Sequence, residues 1–205
     1  MTKRRDPRGD RGLRVIGGSV RGYRLSVPSG EDVRPTLDRI RESLFSILGD
    51  TVVGSVVLDA FAGSGALGIE ALSRGAKFTL FCDENPDCAR TIQGNLERCG
   101  FTDRAVVLRV KVPEGFSRVR KALAEPCDLV FLDPPYRAEG RGRLLEEFHR
   151  FALLKERARI VFEHSPKETF ACVPAGFDVE GERRYGDTLL TFLNYQRGEK
   201  RDDGW

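Results

Sequence analysis

Beyond Gly54 the chain alternates between two kinds of segment, and that alternation leaves few folds open. Short apolar runs, each long enough for one buried strand, take turns with longer stretches whose apolar residues recur at helical spacing. Residues 56–58, 78–82, 105–110 and 129–132 read as strands, and 68–74, 86–99, 116–124 and 142–151 as helices. Strands that alternate with helices build a largely parallel sheet covered on both faces. Three more strands are expected at 159–163, 177–185 and 188–196, the last two an antiparallel hairpin turning at Gly186-Asp187 and finishing the sheet.

Ahead of this unit, Leu37, Ile40, Leu44, Ile47 and Leu48 repeat at helical spacing between Arg39, Arg41 and Glu42, which predicts an amphipathic helix over 36–48 started by Thr36. Residues 13–27 alternate apolar positions around Gly17-Gly18 and Arg21-Gly22, the pattern of a small β-hairpin extension. The expected organisation is a flexible basic tail over 1–12, the hairpin extension over 13–30, one main domain over 31–197 and a flexible tail over 198–205. A chain of 205 residues suits one sizeable core.

Composition narrows the setting more than the function. The net charge is only +3, yet Lys3, Arg4, Arg5, Arg8, Arg11 and Arg14 crowd the start of the chain. That tail is either a solvated terminus or an arm for phosphate, and charge does not decide between them. The five cysteines, Cys82, Cys88, Cys99, Cys127 and Cys172, form no CxxC pair and lie mostly in or beside apolar segments, so they read as reduced, buried or incidental thiols. No apolar stretch is long enough for a membrane helix and the charged start lacks a signal-peptide core, which makes a cytoplasmic setting the default expectation.

Two loops carry the chemistry. In the first, Asp59 ends a strand and Phe61-Ala62 lead into Gly63-Ser64-Gly65-Ala66-Leu67-Gly68, a GxGxxG run that opens a helix; Asp83, followed by Glu84, closes the next strand 20 residues after Gly63. Glycines there let backbone approach a ligand closely, and an acid at the second strand end accepts hydrogen bonds from ribose hydroxyls. Spacing alone allows either NAD or S-adenosylmethionine. Asp59, an acceptor for a ligand ammonium, and the second loop favour the methyl donor. That second loop, Asp133-Pro134-Pro135-Tyr136, follows the apolar run 129–132; its prolines make a rigid turn that fixes a carboxylate and carbonyls in place. Together the loops suggest methyl transfer to an amine.

With these residues in view the chain resembles the RsmD-type methyltransferases, which methylate the exocyclic N2 of a guanine in bacterial small-subunit ribosomal RNA. The resemblance runs through Arg14-Val15-Ile16-Gly17-Gly18, Arg21-Gly22, Leu25-Ser26-Val27-Pro28, the stretch from Arg34-Pro35-Thr36 to Glu42, that from Asp59 to Gly75, Asp133-Pro134-Pro135-Tyr136 and Tyr185-Gly186-Asp187-Thr188. It implies a Rossmann-like class I S-adenosylmethionine-dependent methyltransferase, α/β with a seven-stranded, mostly parallel sheet, and a 16S ribosomal RNA substrate in the small subunit or its assembly intermediate. It also implies that Arg34, Pro35 and Thr36 lie beside the methionine end of the donor. Two departures stand out. Asp83 occupies a position where family members commonly carry Glu, and Lys111 falls where an Asp or Asn usually meets the adenine amine. Lysine cannot accept that bond, so main-chain atoms near 110–112 are the expected substitute.

For the chemistry, the Asp133 carboxylate and the Pro134 carbonyl, braced by Pro135, are suited to accept the two N–H bonds of an exocyclic amine, and Asp133 to take the released proton. Tyr136 is suited to stack on the target base, which has to be unstacked or in a loop. Arg14, Arg21 and Arg24 in the extension and Arg137, Arg141 and Arg143 after the catalytic loop are candidate phosphate contacts. His149 and His164 have no partner set for catalysis or metal binding and read as structural or surface residues; no metal site is expected, and a monomer is the default. The competing readings are methylation of adenine N6 or cytosine N4 in DNA or RNA, and a non-catalytic RNA-binding protein of ribosome assembly.

Overall fold

The computed structural model describes residues 12–29, 35–134, 141–167 and 173–197, with side chains described for all of these except 35–37 and 141. Among the described residues, five α-helices and seven strands follow one another as α1 (Pro35–Leu48), β1 (Val56–Asp59), α2 (Ala66–Ser73), β2 (Phe78–Asp83), α3 (Pro86–Cys99), β3 (Ala105–Arg109), α4 (Phe116–Ala122), β4 (Cys127–Leu132), α5 (Arg141–Arg150), β5 (Leu154–His164), β6 (Phe177–Tyr185) and β7 (Thr188–Tyr195). The strands form one seven-stranded sheet in the order β3-β2-β1-β4-β5-β7-β6. Pairings among β1 to β5 are parallel, and β7 runs antiparallel between β5 and β6.

The chain winds from β1 outward to β3 and then crosses back to place β4 on the other side of β1. This reversal opens a crevice beyond the carboxyl ends of β1 and β4, where open α/β sheets bind ligands. Both sheet faces are covered. One core joins Leu58, Leu80, Val130, Leu132, Ile160 and Phe162 to Phe116 of α4 and Phe148 of α5. On the opposite face Val57, Phe131, Val161 and Phe192 meet Ile40, Leu44, Phe45 and Leu48 of α1.

Two strands differ from the sequence expectation at their starts. Asp128 interrupts the apolar pattern of β4, which begins at Cys127; its carboxylate accepts from the Val56 amide at 2.8 Å and from Lys155 Nζ at 2.9 Å. β5 begins five residues earlier than 159 because its first residues are polar and leave the regular register: Cys127 pairs with Leu154 and Leu129 already with Arg159, with Arg157 at φ 63° between them.

The extension makes less ladder than a hairpin would. It has one antiparallel bridge, between Arg14 and Arg24, supported by the Val15 amide on the Tyr23 carbonyl at 3.0 Å and the Leu25 amide on the Leu13 carbonyl at 2.8 Å, and other polar groups of its main chain bind the body of the protein. The buried Glu70 carboxylate of α2 accepts from the amides of Ile16 and Gly17, both at 2.7 Å. Ser73 accepts from the Ser19 amide through its carbonyl at 2.7 Å and donates its hydroxyl to the Gly17 carbonyl at 2.6 Å. Gly18 lies so close that a Cβ would stand 1.9 Å from the Ser73 oxygen. Buried Asn95 of α3 holds the far end, accepting from the Ser26 amide at 2.8 Å and donating to the Ser26 carbonyl at 2.9 Å and the Ser64 carbonyl at 3.0 Å. Apart from Gly12, the expected tails over 1–12 and 198–205 lie outside the described residues.

Candidate active site

A cavity of about 420 Å³ occupies the crevice, a size typical of small-molecule sites. Its floor is built by strand ends. Asp59 closes β1, Asp83 and Glu84 close β2, Val110, Lys111 and Val112 follow β3, Asp133 follows β4, and Glu163 sits near the end of β5. The turn residues Ala60 to Ser64 form one wall; Ile40, Arg41 and Leu44 of α1, with Leu13 and Val27 of the extension, form another.

The glycine loop has the shape its sequence requires. Gly63 and Gly65 take left-handed φ of 52° and 78°, conformations that residues with a Cβ avoid. Gly68 is needed for another reason: a Cβ there would come within 2.2 Å of Cε1 of Phe81, so only glycine lets α2 settle on β2. Gly65 caps the helix with its flank toward Ile92 and Phe81, and it is not part of the cavity wall, whereas Phe61, Ala62, Gly63 and Ser64 are. Asp83 secures the loop from the neighbouring strand, one carboxylate oxygen accepting from the Gly63 amide at 2.9 Å and the other from the Asn85 amide at 2.8 Å. Each oxygen keeps a lone pair for a ligand hydroxyl.

Four of the cavity's carboxyl groups set its electrostatics. Burial pushes the Asp59 carboxyl up to about 7, against the hydrogen bond it accepts from the Gly68 amide at 3.0 Å, and the charges of Asp133 and Asp83 push the same way. Burial likewise raises Glu163 to about 7, with Asp133 adding to it. A pocket that crowds Asp59, Asp83, Asp133 and Glu163 is prepared for a ligand carrying positive charge, which relieves their mutual repulsion. The nearby Cys82 thiol is pushed up to about 12, first by burial and then by Asp59, so it stays protonated and is no nucleophile.

Of the predicted catalytic loop, Asp133 lines the cavity with its side chain exposed and Pro134 is buried beneath it. Pro135, Tyr136 and Arg137 lie outside the described residues, as does Arg34, and the side chains of Pro35, Thr36 and Arg141 are not among those described. Arg14, Arg21 and Arg24 are exposed on the extension, away from the cavity wall. Lys111 does border the cavity, its ammonium 3.4 Å from Glu114. The two histidines take structural partners, His149 Nδ1 with the Tyr195 hydroxyl at 2.7 Å and His164 Nε2 with the Thr191 hydroxyl at 2.8 Å. Cys82, Cys88, Cys99 and Cys127 are free thiols and buried; Cys172 lies outside the described residues.

Sequence reasoning missed Glu163, Arg41 and the extension's Leu13 and Val27 as parts of the site. Each is one residue of an ordinary strand or helix pattern, and only the sheet order and the docking of the extension bring them to the crevice. Among the described residues, no group of three or more His, Cys, Asp or Glu is arranged to hold a metal ion, and no helix is long and apolar enough to cross a membrane.

Comparison with known proteins bears on the same region. The family model described as conserved hypothetical protein 95 matches residues 13–194. Ribosomal RNA small subunit methyltransferase D of Haemophilus influenzae is 37% identical over 199 residues, 96% of this chain and 100% of that protein. The protein of the same name from Escherichia coli K12 is 35% identical over 188 residues, 90% of each chain. The solved structure of the yhhF protein of Escherichia coli superposes with a TM-score of 0.77 at 28% identity, covering 91% of this chain and 99% of that one.

Proposed function

This chain belongs to the family described as conserved hypothetical protein 95, the RsmD-type methyltransferases, and from that premise we propose that it transfers a methyl group from S-adenosylmethionine to the exocyclic N2 of a guanine in 16S ribosomal RNA. The observation that carries the reading is the acid-walled cavity at the sheet's reversal point, with Asp133 at its edge.

The residues present fit the donor. Asp59, buried and raised to about 7, is a good acceptor for an ammonium group, and the neighbouring carboxyls favour a sulfonium over a neutral ligand. Asp83 and Glu84 take the ribose hydroxyls, while the main chain at Val110, Lys111 and Val112 offers the adenine contact that the Lys111 side chain cannot accept. Phe61, Ala62, Gly63 and Ser64 supply close backbone, with Gly65 shaping the turn behind them, and Arg34, Pro35 and Thr36 complete the methionine end. When bound, S-adenosylmethionine supplies an electrophilic methyl group.

What the chain itself contributes is orientation and a proton acceptor. A guanine N2 shares its lone pair with the ring and is a poor nucleophile; Asp133 and the Pro134 carbonyl, each accepting one N–H, localise that pair and aim it into the pocket. Asp133 then takes the proton that the nitrogen loses. Tyr136 stacks on the base, and Arg14, Arg21, Arg24 and Arg137 hold the surrounding phosphates. The protein acts as a cytoplasmic monomer and needs no metal.

The test is transfer of labelled methyl from S-adenosylmethionine to small-subunit particles from a strain lacking this protein, followed by nucleoside analysis. N2-methylguanosine is expected. Label in N6-methyladenosine or N4-methylcytidine overturns the guanine assignment, and no label in any RNA overturns the substrate class.

A further inference from the structure

Glu163 is the residue of the cavity that the foregoing mechanism leaves without work. β4 and β5 run parallel with Leu132 beside Phe162, so the next residue of each strand, Asp133 and Glu163, also stand side by side. Phe131 and Val161, two positions back, turn their side chains to the α1 face, whereas Leu132 and Phe162 turn to the other. Alternation along a strand therefore sends Asp133 and Glu163 to the α1 face together, and both border the cavity there. Their carboxyls are close enough for Asp133 to raise the titration of Glu163.

A half-buried carboxyl next to another carboxyl is costly unless something is meant to meet it. Among the described residues, none donates a hydrogen bond to the Glu163 side chain or forms an ion pair with it; its main chain alone is engaged, in the ladder with β7 opposite Leu190. The donor's positive charge already has a counterpart in fully buried Asp59. Glu163, on β5, lies instead on the far side of Asp133 from Asp59 of β1.

We propose that Glu163 is the specificity residue of the base pocket, its carboxylate accepting the N1–H of the target guanine while Asp133 accepts from N2. This rests on the guanine reading above. The Watson–Crick edge of guanine presents two adjacent donors, N1–H and N2–H, and strand ends about 4.8 Å apart can offer them one carboxyl each. Adenine places an acceptor at N1 and cytosine one at N3, so either base would turn a lone pair toward the ionised Glu163 carboxylate. The same residue thus recognises guanine and rejects the other amine-bearing bases.

The experiment compares wild type, Glu163→Gln and Glu163→Ala on small-subunit particles lacking the modification, measuring S-adenosylmethionine affinity by calorimetry alongside kcat and KM for methyl transfer. Loss of one hydrogen bond to the base edge predicts that Glu163→Ala lowers kcat/KM about tenfold to a hundredfold. Donor affinity stays within about twofold of wild type, the resolution at which a lost contact would be evident. Glu163→Gln, which keeps an acceptor oxygen and the shape of the side chain, should recover part of the activity; should the alanine variant fail to fold, the glutamine variant alone must still show reduced kcat/KM at unchanged donor affinity. Equal loss of donor affinity and turnover would assign Glu163 to the cofactor and overturn the proposal, as would unchanged kcat/KM in both variants. Wild type making no N2-methylguanosine is a separate failure, of the guanine reading, and takes this proposal with it.

Discussion

Glu70→Ala should detach the N-terminal extension from the methyltransferase body. Glu70 is fully buried, and its carboxylate accepts the amides of Ile16 and Gly17 at 2.7 Å and Arg74 Nε at 2.7 Å, with Arg41 Nε at 3.9 Å. Removing it leaves two amides short of a charged acceptor, each worth about 1.5–3 kcal/mol. It also leaves Arg41 buried with Asp38 as its remaining carboxylate; burial already pulls the Arg41 pKa down, and Glu70 is the largest influence opposing that. These losses overlap, and breaking a buried charge network of this kind costs about 3–5 kcal/mol in total. For a domain of this size that is roughly a 10 °C fall in Tm. Urea unfolding gives the energy, and hydrogen exchange at Ile16 and Gly17 gives its location. Because Leu13 and Val27 wall the cavity, donor affinity should fall as well. A loss under about 1 kcal/mol with both amides still protected would show that the carboxylate is not what anchors the extension.

Asp59 ties stability to pH. Its folded value of about 7 lies above the usual 3.8, so the folded, donor-free protein holds that proton to higher pH, and the stability present below about pH 4 is lost as pH rises through 7. Asp59→Asn should therefore be more stable than wild type at pH 8, by at most ~4 kcal/mol, and equal to it near pH 4, checked by denaturant titration at both pH values. The same substitution should weaken donor binding at least tenfold, and wild type should bind the donor more tightly as pH rises through 7; a flat affinity profile would count against the ammonium contact. Replacing Arg14, Arg21 and Arg24 together by Glu should weaken binding to small-subunit particles and flatten its salt dependence without changing donor affinity, measured by filter binding across salt concentrations.

The sheet was legible because each strand and helix carries its own periodicity, and the element order alone specifies crossovers. What the periodicity lacks is order in space: nothing in residues 188–195 says that β7 enters the sheet between β5 and β6. The polar start of β5, Lys155 to Arg157, hides a strand whose register slips at that point. The glycine loop and Asp133 could be read because their chemistry is local, a few residues at fixed spacing. Glu163 could not, since its meaning comes from standing beside a residue 30 positions away across two neighbouring strands. Glu70 reads in sequence as one charged residue of a short helix, and its role appears only when the extension lies on it.

Activation of an amine by Asp133 and retention of the donor by the acidic pocket are separable by experiment. Donor affinity and single-turnover methyl transfer to small-subunit particles are measured for wild type and Asp133→Ala at saturating S-adenosylmethionine. Donor affinity should be kept in Asp133→Ala while the transfer rate falls at least about a hundredfold, the usual scale for losing a positioned acceptor and base. Transfer at the wild-type rate in Asp133→Ala would contradict that role of Asp133.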